Sequence, residues 1–388
     1  MKAIIAIAIV AAVLAACGGS SEEEPAAQLS TMGRLGEQIF RDETLSASGR
    51  MSCQTCHQPA NGHATSTDAP AELGGAGLDL QGGRLSPGIR YMRFNAAFHF
   101  DAEGTPTGGF FWDGRAASLE AQAAGPFLNP VEMAMPSKAS VVERLRQAAY
   151  AGEFAAVFGR DVFDDVERAY AAITIALAQY QREDVEFAAF SSKYDAFLAG
   201  RVQLTEQEAR GLALFEDEAK GNCAACHPSR PVDGLAPLFT DFTYDALGVP
   251  RNPELRQNDD PAFFDLGLCA REDGVLASRD DLCGLFKVPT LRNVALRKRY
   301  FHNGRFASLR DVVDFYVTRD TEPARWYPTV NGNVAKFDDL PEKHHGNVNI
   351  TEPPYDRKPG DLPALSADEI DDVVAFLHTL TDGWSPAR

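Results

Sequence analysis

The chain is short of positive charge: 37 Lys and Arg stand against 55 Asp and Glu, a net charge of −18 over 388 residues. A nucleic-acid partner needs a basic footprint, so the composition argues against DNA or RNA as ligand. Methionine is scarce and one-sided, with all six at positions 1, 32, 51, 92, 133 and 135. Long apolar runs are missing apart from the first residues, and residues 2–16 are too few to span a bilayer. The 32 Gly and 23 Pro follow no triplet period, which removes a collagen-like chain. At 45% hydrophobic residues the chain is not a disordered one either. Its length suffices for two domains, each with its own core.

What is there begins at the N-terminus. Lys2 precedes an apolar stretch that ends in Leu14-Ala15-Ala16-Cys17, the pattern of a secretory signal. Leu-Ala-Ala-Cys resembles the bacterial lipobox, whose Cys becomes lipidated and starts the mature chain. Residues 1–17 therefore read as a lipoprotein signal with Cys17 as lipid anchor, and residues 18–28 as a flexible acidic tether. The expected location is the periplasmic side of a bacterial membrane, touched only through that anchor. Disulfides form there.

The remaining six cysteines fall into two groups. Cys53-Gln54-Thr55-Cys56-His57 and Cys223-Ala224-Ala225-Cys226-His227 are two copies of CxxCH, the attachment signal for c-type haem. The two thiols bond the porphyrin vinyl groups and the His becomes the proximal iron ligand. A zinc site or a redox CxxC competes with this reading, but zinc needs four closed ligands and neither alternative needs the His that follows both pairs. Two covalent haem c groups are expected. The last pair, Cys269 and Cys283, lies 14 residues apart in an Asp- and Gly-rich insertion. After export a disulfide is expected there, stabilising by about 3 kcal/mol.

An internal repeat accompanies the motifs. Leu35–Glu43 precedes the first and Arg210–Glu218 the second, each a short helical pattern with Gly four residues before Phe. With the motif histidines 170 residues apart (227 − 57), each haem is expected to have its own domain, 29–200 and 201–388. Capping boxes at Thr205-x-x-Glu208 and Ser366-x-x-Glu369 open helices, the second over Asp368–Leu380. Ser140–Gln181 carries two further helical patterns, and Ser191–Arg201 is the expected crossover. Little β-pattern is visible. The fold class is all-α, two cytochrome c-like domains, each wrapped around one haem.

The methionine distribution now bears on chemistry. No Met follows residue 135, so the usual His/Met ligation cannot be completed within the second domain. Its sixth ligand is His, Tyr or Lys, or the site is open, with His302, His344, His345, His378 and the tyrosines as candidates. An oxygen or nitrogen donor lowers the iron potential and suits oxidation chemistry better than electron carriage.

Longer stretches carry a family resemblance. Phe110-Phe111-Trp112-Asp113-Gly114-Arg115-Ala116-Ala117-Ser118-Leu119, then Asn129-Pro130-Val131-Glu132-Met133, come from the first half. Phe286-Lys287-Val288-Pro289-Thr290-Leu291-Arg292-Asn293 and Tyr300-Phe301-His302-Asn303-Gly304 come from the second. With the two CxxCH motifs, they resemble the bacterial di-haem cytochrome c peroxidases and their MauG-like relatives over nearly all of the mature chain.

The resemblance implies that the first haem reacts with hydrogen peroxide and that Trp112 relays electrons between the haems. It implies that Gln122 and Glu132, ten and twenty positions after that Trp, flank the reacting peroxide. Peroxide cleavage needs a proton moved from the inner to the outer oxygen, which a positioned carboxylate can do while an amide orients the reactants. It further implies Tyr316, in Val312-Val313-Asp314-Phe315-Tyr316, as the second haem's ligand opposite His227, in the manner of the MauG-like branch. A phenolate stabilises oxidised iron, so two oxidising equivalents would be shared over both haems. The first haem is expected five-coordinate, held by His57. Of its domain's other histidines, His99 is expected buried and His63 at the surface.

The family also holds calcium, using an Asn side chain in an RNTP-like stretch and backbone carbonyls just ahead of YFH. Here those stretches read Arg84-Leu85-Ser86-Pro87 and Arg297-Lys298-Arg299. Leu85 offers no side-chain oxygen and three cations repel a divalent ion, while backbone oxygens and nearby carboxylates could still hold one. Calcium stays open. The three cations face haem propionates or solvent.

The stretches around Trp326, Lys336–Pro341 and Trp384 resemble the MbnH-like subgroup, which oxidises a Trp of a copper-binding partner. Trp326 and Trp384 are candidate exits for the electron hole. The alternative function is a cytochrome c peroxidase that reduces hydrogen peroxide to water with electrons from a small cytochrome c or cupredoxin.

Overall fold

In a computed structural model of the chain, residues 28–65 and 67–386 are described. The signal segment with Cys17, and the tether up to residue 27, lie outside the described residues. Among the described residues, no helix is long and apolar enough to cross a membrane.

Helices supply most of the regular structure. They are α1 (Thr31–Arg41), α2 (Cys53–Cys56), α3 (Leu119–Leu128), α4 (Lys138–Arg146), α5 (Ala151–Phe158), α6 (Val166–Glu183), α7 (Lys193–Leu198), α8 (Glu206–Glu216), α9 (Leu309–Thr318) and α10 (Ala367–His378). Among the described residues, four antiparallel ribbons of two-residue strands accompany them, for instance Tyr244–Asp245 with Phe286–Lys287. The helical expectation holds, with these short ribbons as an addition. The ribbons pair short loop segments and build no layer, so no alternating pattern announces them.

The two helical repeats are explained by how they pack. Leu35, Ile39 and Phe40 of α1 bury against Ile173, Ala176, Leu177 and Tyr180 of α6. Phe215 of α8 buries with Ile370, Val373, Phe376 and Leu377 of α10. At both crossings the glycine is the contact: a Cβ on Gly36 would stand 2.0 Å from the Ala176 carbonyl oxygen, and one on Gly211 1.9 Å from that of Asp372. Phe, four positions on, lies on the same helical face and enters the core. Full burial of one such ring stabilises by about 1.5–3 kcal/mol. One core draws its buried residues from 35–187 and the other from 194–380.

Local signals set the helix starts. Thr205 and Glu208 exchange hydrogen bonds (2.7 and 3.3 Å), and so do Ser366 and Glu369 (2.8 and 3.3 Å). Where two helical patterns are read from residues 140–181, three helices form: Gly159, at φ +105°, ends α5, and Asp165 caps α6. The crossover contains α7, whose Asp195 pairs with buried Arg292 at 2.8 Å. Asp382 joins distant segments, accepting from Tyr91 (2.8 Å) and Asn293 (2.6 Å). Cys269 and Cys283 are disulfide-bonded, with their Cα atoms 4.9 Å apart.

Candidate active site

Each CxxCH segment forms one tight turn that ends on its histidine. His57 N donates to the Cys53 carbonyl (3.0 Å) and His227 N to that of Cys223 (2.9 Å). The two rings are then anchored alike. Nδ1 of His57 lies 3.3 Å from the carbonyl oxygen of His63, and Nδ1 of His227 lies 2.8 Å from that of Phe239. A carbonyl can only accept, so Nδ1 carries the proton and the lone pair of Nε2 is free to bind a metal. Burial pushes His227 down to about 4, which keeps it neutral as a ligand must be. The thiols of Cys53, Cys56, Cys223 and Cys226 are free rather than paired with one another. These donor sets fit two covalently attached haems.

His57, Cys53 and Cys56 line the first cavity, an empty space of about 1550 Å³, mouth included. His227, Cys223 and Cys226 line the second, of about 1650 Å³. Gln122 and Glu132 line the first cavity. Gln122 rides on α3, whose start is capped by Ser118. Glu132 ends a turn in which its N–H donates to the Asn129 carbonyl (3.0 Å), while the Asn129 amide donates to its carboxylate (2.7 Å). Burial raises the Glu132 carboxyl above its ordinary range, opposed by the charge of Arg115 and the Asn129 bond. A carboxylate so raised is suited to taking and returning a proton.

Among the described residues, no Met lines the second cavity. Tyr316, near the end of α9, lines it together with His302, Tyr300 and Tyr355. Of the histidine candidates, His344, His345 and His378 do not line it. The His302 ring is stacked flat on Phe286, centroids 3.5 Å apart. Burial raises the Tyr316 phenol, so without a metal it holds its proton.

Trp112 belongs to the walls of both cavities, and of a third space of about 540 Å³ between Gln122 and Arg297. Its indole N–H donates to the Leu85 carbonyl (2.8 Å), and its own carbonyl accepts from Lys287 N (2.9 Å). The ring is 7% exposed and fixed from both halves of the chain.

Two expectations reverse. His63 is fully buried, stacked near Phe187 with centroids 4.3 Å apart, and His99 is exposed. The His63 side chain goes inside because it packs against Phe40 and Phe187 and its Nδ1 accepts from Arg90 (3.1 Å), while its carbonyl anchors His57. Glu72, which accepts from Ser86 (2.6 Å) and from Thr65, and Gln181, whose Oε1 is buried without a partner, also line the first cavity. Neither stands in a motif. Arg84 enters the same wall tied to Asp113 (2.6 Å) and Asp265 (2.6 Å). The Trp326 indole donates to Thr318 (2.9 Å) and packs on Phe306 and Phe315, and the Trp384 main-chain N–H donates to the Ser191 carbonyl (3.0 Å).

Two anchored histidines, four free thiols and two cavities joined at one tryptophan fit a di-haem oxidoreductase. The chain belongs to the di-haem cytochrome c peroxidase family, whose model matches residues 30–203. Among its relatives, the methylamine utilization protein MauG of Paracoccus denitrificans (strain Pd 1222) is 38% identical over 400 residues, covering 98% of this chain and 96% of MauG. The crystal structure of the diheme peroxidase BthA from Burkholderia thailandensis E264 is 40% identical with a TM-score of 0.84, covering 92% of this chain and 87% of BthA. A MauG-like protein associated with microbial copper homeostasis is 27% identical with a TM-score of 0.63, over 92% of this chain and 91% of that one. The protein is accordingly a haem-dependent oxidoreductase acting with hydrogen peroxide, and its family implies two haem c groups.

Proposed function

We propose that this is a MauG-type enzyme, exported and lipid-anchored through Cys17. It reacts with hydrogen peroxide in the first cavity, shares the two oxidising equivalents with the second, and oxidises a residue on a partner protein. The observation that carries the reading is Trp112, common to the walls of two cavities of which the second offers Tyr316 and no Met. Bound through its cysteines, each haem supplies an iron that exchanges single electrons.

The chain's own residues do the rest. His57 and His227 would hold the irons through Nε2, their Nδ1 atoms facing main-chain carbonyls. Glu132 takes the proton from the inner peroxide oxygen and returns it to the outer one, while the Gln122 amide orients peroxide and water. The O–O bond breaks, and peroxide with two protons and two electrons leaves as two waters. Trp112 passes one electron toward the first cavity, and Tyr316 supplies a phenolate oxygen that favours the oxidised state of the second site. Two electrons from the partner protein restore the enzyme. The resemblance to the MbnH-like subgroup makes a tryptophan of a copper-binding protein the partner residue to test first, and a MauG-like relative associated with microbial copper homeostasis supports that choice.

Stoichiometric peroxide added to the fully oxidised protein, without reductant, tests the reading. A long-lived change in the absorption spectrum supports it. A protein silent until one haem is reduced would instead be a cytochrome c peroxidase fed by a small cytochrome c or cupredoxin.

A further inference from the structure

The three cations ahead of Tyr300 part company in the fold. Lys298 pairs with Asp68 at 3.4 Å, and Arg299 with Glu254 at 3.0 Å. Arg297 instead lines the second cavity and the smaller space beside Trp112. Its Nη2 donates to the Thr290 carbonyl (3.2 Å) and rests against Gly88, where a Cβ would stand 3.0 Å from it. The guanidinium thus reaches from the second core across to the segment that carries Leu85.

Among the described residues, Arg297 forms no ion pair with a carboxylate, and neither does Lys287, which lines the same two spaces. Arg84, in the neighbouring wall, shows the contrast with its two aspartates. Lys287 is buried and Arg297 half-buried; an unpaired cation withdrawn from water is costly, and the cost is relieved by an anion brought to it.

Calcium does not fit the same place. The Leu85 side chain is 2% exposed and carries no oxygen, and its carbonyl accepts from Trp112. The carbonyl of Arg297 itself accepts from the Tyr300 hydroxyl at 3.1 Å. A divalent ion there would face a guanidinium and an ammonium.

We propose that the Arg297 guanidinium is the built-in cation of the second cavity's wall beside Trp112, standing where the family otherwise holds calcium. It binds propionate carboxylates of the prosthetic groups, and the holoprotein needs no divalent ion. This rests on the haem-binding reading, and haem content is measured separately so that the two can fail separately.

The test is elemental analysis of the purified, haem-loaded protein, then its haem spectrum and melting midpoint with and without a calcium chelator. The expected result is a full complement of iron, no stoichiometric calcium, and no change on chelation. One calcium per molecule, or a spectrum that chelation alters, overturns the proposal. Arg297→Leu adds an independent readout: loss of a nearby positive charge should lower the reduction potential of the second haem, and Arg297→Lys should restore most of it. Wild-type potentials in a fully haem-loaded Arg297→Leu protein would also overturn it. Should that variant lose haem, calcium content and chelation of the wild-type protein decide alone. A wild-type protein without haem would defeat the haem-binding reading itself.

Discussion

Replacing Glu132 by Gln removes the proposed proton carrier with little disturbance around it. The amide oxygen of Gln can still accept the bond that Asn129 now donates at 2.7 Å, and the turn is held by the Glu132 main chain. Gln122 and Arg115 remain in the cavity wall. General acid–base catalysis contributes typically about 10²–10⁴-fold, which corresponds to about 2.7–5.5 kcal/mol in the barrier. The reaction of oxidised protein with peroxide, followed by stopped-flow absorption, should therefore slow by that factor while haem content and melting are unchanged. The pH dependence carries a second signature. Burial raises the Glu132 carboxyl, and only its ionised form can take the proton. The wild-type rate should fall as pH drops through that raised value, whereas the Gln variant should lack this acid limb. A loss of only about threefold, under roughly 1 kcal/mol, with the acid limb intact, would refute the role.

Tyr316→Phe should change the absorption of the second haem and leave the first alone, because Tyr316 lines only the cavity of His227; an unchanged spectrum would reject it as ligand. Asp265→Asn breaks a pair whose side chains are 22% and 12% exposed. The loss should fall between the roughly 1 kcal/mol of an exposed pair and the about 3–5 kcal/mol of a buried one, read by denaturant unfolding. Burial alone would raise Asp265, but Arg84 holds it down to about 2. In the wild-type protein this contribution is full above the ordinary aspartate range and is lost as pH falls toward 2. Gly211→Ala sets a methyl group against the Asp372 carbonyl. It should cost about 1–3 kcal/mol by overpacking, seen as a lower melting midpoint.

The haem attachment residues were legible because the chemistry is local: two thiols and a histidine must sit within five residues. The Gly and Phe of the two repeats were legible as a pattern, but not as helix crossings. That meaning arises only when Ala176 and Asp372 arrive from more than 100 residues away. His63 differs for a similar reason, since Phe40, Phe187 and Arg90, which hold its ring inside, come from other segments of the chain. Glu72, Gln181 and Arg297 line cavities through side chains that long-range packing aims, and no spacing rule reports such aim. Trp112 lay between these cases. Its flanking residues announced a role, and its membership of both walls supplied the geometry.

The central claim is that Trp112 lets the two sites act as one oxidant. One equivalent of peroxide added to the fully oxidised protein, with the electron paramagnetic resonance of both haems recorded, tests it most directly. The account predicts that both haem signals are lost together in the wild-type protein, and that Trp112→Phe confines the change to the first haem. Joint loss in the Trp112→Phe protein, or a wild-type second haem that never responds, would contradict it.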